Sequence, residues 1–180
     1  MARKGLTEFA IIVEKNNHIT KDSNLLREFL RSQTHLPNKI KLTLYPFHNE
    51  FGYLAIDFKN YRDIDLSPLN NTDPTFTTCL HKSIDLCIEQ ILYRHEHICP
   101  CRIPEQTYIL IIAETSPTSG YNITLPDNFE YKLVAHDDVN LTGIPIGTIN
   151  VIRYNESTDP KMIIDQINDD LTNYRAQLIS

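Results

Sequence analysis

Seven consecutive residues, His95-Glu-His-Ile-Cys-Pro-Cys101, bring two imidazoles and two thiols together. His95, His97, Cys99 and Cys101 are side-chain types that fill a tetrahedral Zn²⁺ site. Their single-residue gaps are tighter than the usual spacing of zinc ligands. The segment reads equally well as a helix end running into a polar loop, where histidines are favourable beside the helix C-terminus. A second pattern is the pair His18-Ile-Thr20 and His81-Lys-Ser83. Two histidines facing one cleft can act as acid and base in phosphodiester cleavage. Here the second falls in a strongly helical stretch and the first in a loop, which makes a shared cleft a poor expectation. A third set is acidic: Glu14 and Glu114 each close an apolar run. No nucleophile elbow, Walker loop or Gly-x-Gly-x-x-Gly occurs, and five glycines leave little for a phosphate cradle.

The elements that must position these groups follow from hydrophobic periodicity. Phe9–Val13 is a continuous apolar run of strand length, as expected of a strand buried on both faces. Asp22-Ser23 supplies an N-cap for a helix carrying Leu25, Leu26, Phe29 and Leu30. Lys39–Tyr45 alternates like a half-buried strand, and Tyr53–Phe58 follows so closely that the two must pair antiparallel. From Thr75 to Glu96 a helical stripe forms from Leu80, Ile84, Cys87, Ile88, Ile91 and Leu92. Tyr108–Ala113 is the most apolar stretch and reads as the central strand. Tyr131–Ala135 and Thr148–Arg153 are two more strands. Pro160 suits the first turn of a final helix whose inner face holds Met162, Ile163, Ile167, Leu171 and Tyr174.

This order predicts a single α/β domain over residues 1–180. The expected architecture has three layers and is doubly wound, with a mostly parallel central sheet, one antiparallel edge hairpin and helices on both faces. Length and composition agree: 180 residues, 41% hydrophobic and 22% charged. A net charge of -6 argues against nucleic acid or an anionic membrane as the main partner. No apolar run approaches the ~20 residues of a membrane span. The N-terminus lacks the pattern of a signal peptide, and the four cysteines are not spaced as a secreted disulfide framework, so a cytoplasmic location is expected.

The element order with that hairpin resembles the von Willebrand factor A (vWA) family. Thr7–Ile19 looks like the family's first strand and loop, where Asp-x-Ser-x-Ser follows an apolar strand. Asp73–Ile84 is similar to its threonine-containing loop opening a long helix. Ile109–Thr115 resembles the strand ending in Thr-Asp-Gly, and Phe129–Gly147 the fifth strand with its loop. The resemblance implies a metal-ion-dependent adhesion site built from those loops. The matching positions read Glu14, Asn16 and His18, then Thr75 (or Pro74, one position earlier), then Glu114. Two lengthened carboxylates and an imidazole suit the octahedral oxygen shell of Mg²⁺ badly. The resemblance with these departures therefore implies a degenerate site with no resident cofactor, the alternative being an altered divalent cation such as Zn²⁺, Ni²⁺ or Mn²⁺ favoured by the His18 nitrogen. It also implies a non-catalytic module that engages another protein through a rim of Glu14, Asn16, His18, Thr75 and Glu114 at the carboxyl edge of the sheet. The alternative is a hydrolase of the two-histidine phosphoesterase kind, using His18 and His81.

Overall fold

The computed structural model describes residues 3–15, 17–20, 23–32, 40–47, 55–59, 65–69, 79–98, 102–117 and 120–177. Asn16, Thr75, Cys99 and Cys101 lie outside them. Six strands run in the spatial order β3-β2-β1-β4-β5-β6. They are β1 (Arg3–Glu14), β2 (Ile40–Phe47), β3 (Ile56–Lys59), β4 (Pro104–Ala113), β5 (Glu130–His136) and β6 (Asn150–Tyr154). All neighbours pair parallel except β2 with the short edge strand β3, which is antiparallel. Among the described residues three α-helices accompany the sheet: α1 (Ser23–Ser32), α2 (Leu80–His97) and α3 (Pro160–Gln177).

Side-chain alternation along the strands builds a core on each face of the sheet. On one face, Phe9, Ile11 and Val13 of β1 and Tyr108, Leu110 and Ile112 of β4 meet α1 through Leu26 and Phe29. The same cluster takes in Ile163, Ile164, Ile167 and Leu171 of α3. On the other face, Ala10, Ile12, Ile109 and Ile111 meet the α2 stripe of Leu80, Ile84, Cys87, Ile88 and Ile91. At about 25 cal/mol per Å² of apolar surface, each fully buried Ile or Leu stabilises by roughly 1.5–3 kcal/mol. Both central strands are therefore strongly held.

Sequence periodicity misjudges some details. Lys39–Tyr45 reads as half-buried, yet β2 is buried at every position but Lys41. Both its faces are covered, and its outward-reading Thr43 is taken up by a buried carboxylate. Met162 is 66% exposed, and Ile164 takes the inward position expected of it. β4 begins at Pro104, ahead of the Tyr108 start that the apolar run predicts. The parallel connections around β5 agree with the sequence order, which places no long helix between these strands. Among the described residues, β4 to β5 and β5 to β6 are joined by loops and turns in place of helices, apart from one short 3₁₀ turn at Ile146–Thr148. Ile123, Phe129, Val139, Leu141, Ile144 and Ile149 from these connections pack beside α2. They do the covering work that a crossover helix would do.

Candidate functional site at the carboxyl edge of the sheet

Parallel strands β1 and β4 run side by side, with Val13 opposite Ile112. Their last residues therefore emerge together at the carboxyl edge. Glu14 is 2% exposed there. Its Oε2 accepts the backbone N–H groups of Glu114 at 2.7 Å and Thr115 at 2.9 Å. Two N–H donors on one carboxylate oxygen are charge-assisted bonds, the stronger kind. They lock the end of β4 to the end of β1.

Glu114 is used in the same way. Its Oε2 accepts the backbone N–H of His18 and, at 3.1 Å, the hydroxyl of Tyr154 at the end of β6. The Tyr154 phenol is buried beside Glu114 and Glu14, and both burial and these carboxylates push its pKa far up, so it stays a neutral donor. The His18 ring stacks against Tyr154 with centroids 6.3 Å apart. Its Nε2 lies 2.9 Å from the Thr158 carbonyl. A carbonyl only accepts, so Nε2 carries the proton and donates. The His136 ring meets Tyr154 edge-on at 5.5 Å. Beneath the turn, Asn17 is buried and donates from Nδ2 to the Glu14 carbonyl and to Thr20, while its Oδ1 accepts the Thr20 N–H at 2.8 Å. That closed turn fixes the path that brings His18 over Glu114.

Glu14, His18 and Glu114 are thus brought together. Sequence reasoning missed Asn17, Tyr154 and His136. Asn17 carried a turn signal in Asn16-Asn17. Tyr154 carried little, since the expected strand stopped one residue before it.

The chain matches no family model and no curated protein. Solved structures do share its architecture. The SpRpn10 VWA domain aligns with a TM-score of 0.57 at 9% identity, covering 89% of this chain and 95% of that one. The TFIIH p34 N-terminal domain aligns with a TM-score of 0.53 at 12% identity, covering 91% and 97%. This chain has a von Willebrand factor A fold. Proximal thread matrix protein 1 from the mussel byssus, in crystal form 2, aligns with a TM-score of 0.56 at 11% identity, over 91% of this chain and 47% of that one. At such identities the likeness is one of fold.

The vWA fold implies a divalent cation at this edge, and of the positions that would hold it Asn16 and Thr75 lie outside the described residues. A hard cation needs several oxygens turned toward a common point. Here one oxygen of Glu14 takes two backbone N–H groups and one oxygen of Glu114 takes a backbone N–H and a phenol. Among the described residues no group of three or more His, Cys, Asp or Glu side chains could hold a metal ion. Among the described residues, one oxygen of each of these two carboxylates is held by protein N–H and O–H donors.

The other candidate residues sit elsewhere. His95 Nε2 contacts Oε2 of Glu8 at 2.9 Å, beneath the end of α2. Glu8 is completely buried and also receives Arg94 Nη1 at 3.0 Å and the Thr43 hydroxyl at 2.6 Å. His97 turns away, stacking on Tyr93 and donating from Nδ1 to the Tyr93 carbonyl at 2.7 Å. Their neighbours Cys99 and Cys101 lie outside the described residues. His81 is buried in the first turn of α2, with Nε2 donating to the Thr142 carbonyl at 2.7 Å. His18 stacks on Tyr154, part of the α1/α3 core, whereas His81 belongs to the α2 layer. The two imidazoles therefore lie on opposite faces of the sheet and donate to different carbonyls, so they do not form an acid–base pair.

Proposed function

We propose that this chain is a non-catalytic protein-binding module of the vWA type, acting as one domain in the cytoplasm. Its partner protein engages the carboxyl edge of the sheet around Glu14, His18 and Glu114, without a bridging cation. Asn16 and Thr75, which lie outside the described residues, belong to this rim in the reading. One observation carries it: an oxygen of Glu14 and an oxygen of Glu114 each fix the backbone of the neighbouring strand end or loop. Such loops are preorganised, and a preorganised surface loses less entropy on binding. Exposed polar groups of Asp137, Asp138, Asn155 and Ser157 surround the network and supply the hydrogen-bonding capacity of an interface rim. Two similar folds, the VWA domain of SpRpn10 and the N-terminal domain of TFIIH p34, are themselves named as domains of larger proteins.

A photo-crosslinking amino acid at Asp138, at Asn155 and, as a control, at Glu105 near the opposite edge tests this in cells of the native host. The expected result is one protein adduct of the same mass from Asp138 and Asn155 and none from Glu105. Adducts from Glu105 alone, or from no position, overturn the reading. Calorimetric titration of chelator-treated protein with Mg²⁺ addresses the cation. No saturable heat is expected, and micromolar binding lost in Glu14→Ala restores a metal-dependent adhesion mechanism.

A further inference from the structure

At the opposite, amino edge of the sheet, a lysine is buried where the fold does not need one. Lys132 is the third residue of β5 and points to the α1/α3 face, two residues before Val134 of that core. Its side chain is 1% exposed, and its ammonium forms an ion pair with Asp170 of α3. Beyond that pair, Lys132 Nζ has no hydrogen-bond partner among the described residues. An ammonium carries three donors. Leaving donors unmatched in a buried site is costly, and an apolar residue would pack this face more simply.

Lys132 and Asp170 share the wall of a cavity of about 200 Å³, together with Tyr108, Glu130, Asn150 and Asn173. Sites for drug-sized ligands run from roughly 300 to 1,000 Å³, so this one suits a smaller molecule. Its charges are of both signs and adjacent: one buried cation, one half-buried carboxylate, and Glu130 exposed at the mouth. A simple anion would meet Lys132 but be repelled by the two carboxylates, and a simple cation would meet the reverse. A ligand carrying both charges a few bonds apart satisfies both. The amides of Asn150 and Asn173 can each donate and accept, which suits a carboxylate beside an ammonium.

We infer that this cavity is a binding site for a small zwitterion of the free α-amino acid class, its carboxylate on Lys132 and its ammonium on Asp170 and Glu130. The site lies across the sheet from the carboxyl edge and is independent of the protein-binding reading. Such binding would also tie α3 to β5, because the ligand bridges groups on both.

Calorimetry and thermal melts with a panel of free L-amino acids test it, with acetate and methylammonium as single-charge controls. At least one amino acid is expected to bind saturably and raise the melting temperature, while neither control does so. Lys132→Met and Asp170→Asn should each weaken that binding by about tenfold or more. Circular dichroism checks that each variant is folded. Asn173→Ala removes one lining amide without touching the ion pair. It should weaken binding measurably even if a charge variant fails to fold. The proposal is overturned if no amino acid binds at millimolar concentration. It is equally overturned if acetate alone binds as well, or if binding survives unchanged in folded Lys132→Met or in Asn173→Ala.

Discussion

At the scale of single residues, the carboxyl edge illustrates how a carboxylate can be structural where its position suggests chemistry. Glu14 accepts two backbone N–H groups at the end of β4. Removing it leaves both donors without that partner, and hydrogen bonds to a charged group are worth about 1.5–3 kcal/mol each. Glu14→Ala is therefore expected to destabilise the domain by about 2 kcal/mol or more, seen as a lower urea midpoint. An unchanged midpoint would show that the two N–H groups are satisfied equally well by water. Periodicity shows only that Glu14 and Glu114 each close an apolar run; it is the resemblance to the vWA family that implies one edge shared by Glu14, His18 and Glu114. Neither shows that the carboxylates are turned onto backbone N–H groups. That depends on the parallel register of β1 and β4, a contact between segments far apart in the chain. Tyr154 was invisible for the same reason, since its hydroxyl reaches Glu114 across a strand that only the folded order supplies.

At the scale of elements, the long apolar stretches were legible and the connections were not. The α2 stripe appeared in the sequence because Leu80, Ile84, Cys87, Ile88 and Ile91 repeat at helical spacing, and all five are buried. Replacing Ile88 by Asp places a charge against the sheet with no partner, and a loss of about 3 kcal/mol or more is expected. A thermal melt indistinguishable from the parent protein would mean that α2 does not pack through this face. The connections around β5 are loops and turns, and their role as cover for the α2 face leaves no mark in the sequence. Scattered residues such as Ile123, Leu141 and Ile149 have no period to betray burial. Their inward positions follow from tertiary packing around the turns, including the one at Gly143, whose φ of 88° suits glycine.

At the scale of the whole molecule, several phenols are buried, and this gives the fold a limit at high pH. Burial, followed by the acidic neighbours Cys87, Cys79 and Glu89, raises the pKa of Tyr45 from 10.0 to about 12. Burial also raises Tyr131 and Tyr154. A pKa higher in the folded state means that the fold favours the protonated phenol. Its contribution is complete below pH 10, where the unfolded phenol is still neutral, and is lost as pH rises from 10 to 12 through the Tyr45 value. Melting temperatures measured across that window should fall, and Tyr45→Phe should flatten part of the decline. A melting temperature steady to pH 12 would contradict the burial of these rings. The pairing of β1 with β4 has a different consequence, which concerns the order of events during synthesis. Val13 meets Ile112 roughly a hundred residues later in the chain. One long flank of β1 therefore stays unpaired on the ribosome until β4 has emerged, with Phe9, Ile11 and Val13 waiting for their neighbours. Non-local parallel pairing of this kind is slow to form and leaves a bare strand edge open to other chains. The nascent N-terminal half is thus the stage at which the protein most needs chaperone protection.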